Sequence, residues 1–256
     1  MIYQLKSYLQ FLLKSTNAHG VHSPFVYDFV TQCLYNKKKH EGYTTLKKIR
    51  KKHLANTEII KVIDFGSGSK VFQGNERKIA AIAKNAGVPY KRQQLLFRIA
   101  TYFQPVTILE LGTSVGLGTV ALSLGNPSAN ITTVEGCPNT AKIASALFKD
   151  FQLKNIHLQN TTFEDFFKND TLSYDIIYVD GNHQKEQTLK YFEILSEKIR
   201  NDSLIIFDDI YWSSSMSEAW REIIKHPKVT VSIDTFYWGL VFFRKEQKKE
   251  HFIIRL

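Results

Sequence analysis

Two segments carry the residues best suited to chemistry. "YVDGNH" (178–183) and "IFDDIYW" (206–212) each place aspartate at the end of an apolar run. If both runs are strands of a parallel sheet, Asp180, Asp208 and Asp209 converge at its carboxyl edge. Three close carboxylates repel one another, and burying them unpaired is costly. A hard divalent cation such as Mg²⁺ resolves this, accepting carboxylate oxygens while keeping positions open for water and substrate. The competing reading is structural: Asp208 or Asp209 caps the following turn, and Asp180 stabilises its loop. His183 stands three residues beyond Asp180. An imidazole titrates near neutrality and suits a general base that takes an acceptor's proton. A hydrogen-bonded loop histidine is the alternative, and Lys185 is a weaker candidate for the same task.

Chemistry at such an edge needs a partner molecule, and two glycine loops compete to hold it. "TILELGTSVGLGT" (107–119) and "KVIDFGSGSK" (61–70) both follow apolar runs with an acid. Glycines there let backbone approach a ligand, and a following helix N-terminus adds partial positive charge. The next strand should then end in an acid suited to ribose hydroxyls. The 107–119 loop meets both conditions: Gly112, Gly116 and Gly118 precede a helix, and the next strand ends at Glu135 and Gly136. The 61–70 loop is followed by two helical stretches and no such strand. It is expected to be a turn that lines or covers the site. "GLGTVA" (116–121) fits a dinucleotide pattern on paper, but Gly116 comes too late after the strand to meet a pyrophosphate.

The elements that must position these residues alternate. From residue 106, strand-like runs ("VTILEL", "NITTVEG", "NIHLQN", "YDIIYVD", "DSLIIFDDI") are separated by helical segments. Continuous apolar strand cores point to a parallel sheet buried on both faces. The closing runs, "VTVSIDTF" and "WGLVFFR", have only two residues between them and must pair antiparallel. The expected fold is α/β, a Rossmann-like, doubly wound, mostly parallel seven-stranded sheet with an antiparallel last strand. Residues 1–86 read as a mainly helical cap or lid, with "IIKVIDF" as a short strand and residues 75–86 as a helix. Residues 87–256 read as the domain proper, ending in a short basic tail. The first helix carries Leu5, Leu9, Leu12 and Leu13 on one face.

Composition agrees. The chain has 256 residues, 43% of them hydrophobic, enough for one well-filled core. No apolar run reaches the roughly 20 residues that span a bilayer, and the start lacks a signal peptide's pattern. Two cysteines, Cys33 and Cys137, make no disulfide framework and suit a reducing cytoplasm. The net charge of +10 gathers at 36–53 and 244–251. It reads as a solvated surface or, alternatively, as a nucleic-acid-binding face.

"ILELGTSVGLGT", with Glu135 and the strand pattern over 87–244, resembles the class I S-adenosylmethionine (SAM) methyltransferases. Within them it looks most like the metal-dependent O-methyltransferases related to the catechol and caffeoyl-CoA enzymes. The resemblance implies SAM as cofactor, with Glu110, Gly112, Ser114, Gly116 and Gly118 around its methionine part. It implies Glu135 and Gly136 at the ribose, and Thr162 and Phe163 near adenine. Asp180 would edge the cofactor and join Asp208 and Asp209 in holding Mg²⁺ or a similar cation, with His183 where those relatives carry a lysine. The implied reaction is O-methylation of a small hydroxylated, catechol-like acceptor. Tyr211, Trp212, His19 and His22 are weaker substrate candidates, and a homodimer is possible. The alternatives are an RNA methyltransferase of the same fold and a non-catalytic basic nucleic-acid-binding protein.

Overall fold

Continuous apolar runs flanked by amphipathic ones fold as strands between helices, and the computed structural model shows them so over residues 2–66, 68, 72 and 74–256. The chain divides into two compact units, one split (1–35 with 171–256) and one continuous (36–170).

The split unit opens with helix α1 (Ile2–Lys14) and, after a 3₁₀ turn capped by Asn17, helix α2 (Pro24–Phe29). Ser23 caps α2, and Pro24 takes the first helical position, where no N–H is needed. The leucine stripe of α1 faces away from the unit's core. Leu5, Leu9 and Leu13 are exposed, while Phe11 on another face is buried. The sequence reading had the stripe, but several faces of this helix are apolar, and the aromatic one wins. Phe11 and Tyr8 both pack on the Phe236 ring.

The continuous unit begins with α3 (Gly42–Leu54), whose lysines are solvated while Leu46, Ile49 and His53 are buried. A short antiparallel ladder follows, β1 (Ile59–Lys61) with β2 (Glu76–Lys78), and then α4 (Ile79–Asn85). The predicted helix at 75–86 therefore starts later, because residues 76–78 are drawn into a ladder that its helical spacing does not reveal. Next come α5 (Tyr90–Phe103), β3 (Thr107–Leu111), α6 (Leu117–Gly125), β4 (Asn130–Val134), α7 (Pro138–Asp150), β5 (Ile156–Gln159) and α8 (Phe163–Asn169). Strands β3, β4 and β5 lie side by side and parallel, with Glu110 opposite Thr133. Ile108, Leu109 and Leu111 are fully buried, each contributing on the order of 2 kcal/mol.

The split unit resumes with β6 (Tyr174–Val179), α9 (Lys185–Ser196), β7 (Ile199–Asp208), α10 (Ser214–Lys225), β8 (Val231–Asp234), β9 (Trp238–Phe242) and β10 (Glu250–Ile253). Here the order is β10-β8-β9-β7-β6. Only β9 runs against the others, pairing antiparallel with β7 and β8 as its short connection requires. Strand β10 is an eighth strand where a basic tail was expected. It pairs parallel with β8, and its neighbour Ile254 bridges to Thr16. The fold class is the expected one: α/β, Rossmann-like and mostly parallel. Among the described residues no helix is long and apolar enough to cross a membrane.

Candidate functional site

In the continuous unit the loop after β3 turns back through three left-handed residues, Gly112 (φ 105°), Ser114 (φ 50°) and Gly116 (φ 84°). Gly116 opens α6, and a Cβ there would lie 2.8 Å from the Phe148 ring. Positive φ and close packing on α7 both require glycine at this position. Gly118 lies buried in the first turn of α6.

Two carboxylates organise this loop. Glu110 is fully buried, and its Oε2 accepts from the Thr119 and Thr133 hydroxyls. Loss of water pushes its carboxyl up to about 7, against the pull of those two hydroxyls. Glu135 ties two strand ends together. Its Oε2 accepts the Ser114 N–H (2.7 Å) and its Oε1 the Cys137 N–H (2.8 Å). Burial also raises the Glu135 carboxyl, with the two N–H groups and the Thr140 side chain opposing the shift. The carboxylate is thus held in place at the strand end, where a ligand hydroxyl is a suitable further donor.

Residues that sequence reasoning missed hold the loop from behind. His53 donates from Nε2 to the Val115 carbonyl (2.9 Å), and burial pushes its imidazole down. Gln93 donates to the Leu117 carbonyl (2.9 Å). In the sequence, His53 is one more basic residue at the end of a lysine-rich helix. Asn160 on the loop after β5 donates to the Glu135 carbonyl (2.6 Å). Thr162 caps α8, accepting the Asp165 N–H while donating to the Asp165 carboxylate, and Phe163 is the first residue of that helix. Of the other glycine motif, Ser67, Ser69 and Lys70 lie outside the described residues. Its first half runs along the loop after β4, where the Ile63 N–H meets Cys137 Sγ (3.3 Å).

In the split unit the strand ends after β6 and β7 bring two of the predicted acids onto one atom. The Tyr178 hydroxyl lies 2.8 Å from Asp208 Oδ2 and 3.1 Å from Asp180 Oδ2. Asp208 is buried, and its Oδ1 accepts the Asp209 N–H (2.8 Å). Asp209 has φ 52° and its carbonyl accepts from the Trp212 N–H, so its backbone makes the turn. Among the described residues no group of three or more His, Cys, Asp or Glu is placed to hold a metal ion. The three acids do not form the cage the sequence suggested, because a phenol takes the shared position. Tyr178 was not singled out in the sequence, where it is one apolar residue of a strand.

His183 also has a left-handed backbone (φ 50°), and its Nε2 lies 3.7 Å from Asp180 Oδ1. Its ring packs 5.9 Å from Trp212. Three non-glycine residues in left-handed conformations, Asn182 (φ 68°), His183 and Asp209, on the turns after β6 and β7 store strain of the kind found at functional sites. Lys185 is drawn away, paired with Glu218 and Glu222. Tyr211 stacks on Phe236 (5.0 Å) and donates to Asp234 Oδ2 (2.7 Å), with burial the main cause of its raised phenol pKa. His19 and His22 are exposed on the turn between α1 and α2.

Residues 109–210 match the family described as a methyltransferase domain. Solved structures with the same fold include a methyltransferase of Podospora anserina with S-adenosylhomocysteine (SAH) bound. It is 13% identical, with a TM-score of 0.62 over 88% of this chain and 97% of that one. An O-methyltransferase of Bacillus cereus in complex with SAH is 15% identical, with a TM-score of 0.55 over 83% and 98%. An O-methyltransferase of Streptomyces achromogenes involved in tomaymycin synthesis, in complex with SAM, is 15% identical, with a TM-score of 0.57 over 81% and 91%. The likeness to these structures is one of fold. The matched stretch runs from the strand before the glycine loop to the turn after the second acid-bearing strand, so it takes in the loop, Glu135 and the Asp180–Asp208 pair.

Proposed function

We propose that the chain is a SAM-dependent O-methyltransferase of a small hydroxylated acceptor. The observation that carries the proposal is the Glu135 carboxylate at the end of β4, pinned beside the left-handed glycine loop by the Ser114 and Cys137 N–H groups. It would take the two ribose hydroxyls, while Gly112, Ser114 and Gly116 let the loop backbone approach the methionine part. When bound, SAM supplies an electrophilic methyl on a sulfonium, passed to oxygen as the C–S bond breaks. His183 would remove the acceptor's hydroxyl proton at Nε2, and Asp180 would stabilise the imidazolium that results. Trp212 beside His183 offers an apolar wall for a flat acceptor.

The finer reading, metal-assisted methylation of a catechol-like acceptor, rests on Asp180 and Asp208 meeting at one point. The described donor set does not make a preformed site, and the proposal here uses no metal. Calorimetric titration of Mg²⁺ separates the two: saturable binding in the wild type, lost in Asp208→Ala, would restore the metal-assisted version.

The central test is SAM binding and labelled methyl transfer to a panel of phenols and catechols, comparing wild type with Glu135→Ala. The expected result is transfer by the wild type and SAM affinity lower by about 100-fold in the variant, two lost charge-assisted hydrogen bonds. Wild-type affinity in Glu135→Ala would overturn the ribose assignment. Transfer to RNA alone would move the acceptor to the nucleic-acid alternative.

A further inference from the structure

The first half of the second glycine motif lies against the loop that carries Glu135. Two contacts place it there. The Lys61 carbonyl accepts from Asn139 Nδ2 (2.6 Å) and the Ile63 N–H meets Cys137 Sγ (3.3 Å), with Val62 between them buried. Beyond them, Asp64 accepts the Gly66 N–H and pairs with Arg77 from β2. The segment is thus tied down on both sides of Phe65.

The Phe65 ring sits on Gly136. A Cβ on that glycine would lie 2.8 Å from two of the ring's carbons. Gly136 is therefore where the ring fits, and a side chain there would push the ring from this seat. Yet the seat does not hide the ring, since Phe65 stays 54% exposed. An aromatic held in place but left open to solvent on the remainder of its surface is a platform.

Its location says for what. Ser114, on the loop after β3, donates to Glu135. Gly136 follows Glu135 in the chain, and the carbonyls of both accept from Asn160 on the loop after β5. A ribose held by Glu135 with its methionine arm toward the Ser114 loop directs its base the opposite way, toward Gly136.

We propose that Phe65 forms one wall of the purine site, its ring stacking on the adenine of SAM, and that Gly136 is small in order to seat it. This rests on the reading of Glu135 as the ribose acid. It also answers what the second glycine-rich segment does: it builds part of the first loop's site and holds no separate cofactor.

The test measures SAH binding by calorimetry in wild type, Phe65→Ala, Phe65→Leu, Phe65→Trp and Glu135→Ala. Phe65→Ala and Phe65→Leu should each weaken binding on the order of tenfold, the size of one base–aromatic stack. Phe65→Trp should keep wild-type affinity, and its indole emission should be quenched on titration with SAH. Leucine fills the space over Gly136 but cannot stack, so wild-type affinity in Phe65→Leu would overturn the proposal and leave the ring a packing role. Glu135→Ala separates the two readings. If it loses binding while Phe65→Leu does not, the purine wall alone fails. If it binds as wild type does, the ribose assignment fails.

Discussion

The carboxylates of the two units are solvated by protein in opposite ways. In the continuous unit each acid has its own donors: Thr119 and Thr133 for Glu110, and the Ser114 and Cys137 N–H groups for Glu135. In the split unit Asp180 and Asp208 share one hydroxyl, that of Tyr178, between them. A phenol has one proton to donate, so at any instant one of the two carboxylates does without it. The first arrangement is finished before any ligand arrives and suits binding. The second sets Asp180 beside a histidine of left-handed backbone, which suits proton movement. The difference teaches that an acid with its own donors can be read from backbone geometry and strand ends, whereas a shared donor such as Tyr178 shows itself only in tertiary packing.

The sharpest way to break this comparison is to remove the proposed base. His183→Ala should lower methyl transfer about 1000-fold, within the usual span of general-base catalysis, while SAM affinity stays within a factor of two. Single-turnover rates and equilibrium dialysis check both halves. If affinity falls together with rate, His183 serves binding, and the comparison fails. Unchanged turnover would leave it a loop histidine.

Glu110 gives the next largest effect, on stability. Its carboxyl titrates at about 7 in the folded chain against 4.5 without burial. Between those values the native state keeps a proton that the unfolded state has lost, so stability falls as pH rises through this window. The loss is complete above about 7 and amounts to roughly 3 kcal/mol. Glu110→Gln should flatten that slope. Urea unfolding of both proteins at pH 5 and pH 8 measures it. Equal slopes would mean that the two threonine hydroxyls keep Glu110 ionised throughout.

What the sequence made legible follows the same line. The 107–119 loop was readable because glycine at 112 and 116 answers to backbone φ, a local demand that leaves its mark in residue type. Glu135 was readable from its place at a strand end. The antiparallel β9 followed from the short connection before it. Phe65 was not readable, because its seat is a glycine distant in sequence and the contact belongs to tertiary packing. The leucine face of α1 was readable as a face, but that Phe11 and not the leucines is buried was not, because several faces of the helix are apolar. Strand β10 was missed because its residues are half or fully exposed and show no apolar alternation. Tyr178 was missed because a buried strand tyrosine looks like core until its hydroxyl is seen to reach past the strand end.

That hydroxyl carries the smallest effect and the finest distinction. Tyr178→Phe keeps the ring against Trp238 but leaves Asp180 and Asp208 facing each other without a donor between them. The buried Asp208 loses a charge-assisted bond, so the variant should be less stable by about 2 kcal/mol at neutral pH. The informative step is to repeat the unfolding with Mg²⁺ present. Were the two aspartates able to hold a cation once the phenol is gone, Mg²⁺ would restore the lost stability by mass action, and more of it at higher concentration. Two carboxylates lacking a third ligand should bind it too weakly for that, so the expected result is no rescue at millimolar Mg²⁺. Rescue would show that the shared hydroxyl stands in a cation's place and would reopen metal-assisted transfer. Its absence would leave Tyr178 as a donor shared by two acids, with proton transfer through His183 as the chemistry of this unit.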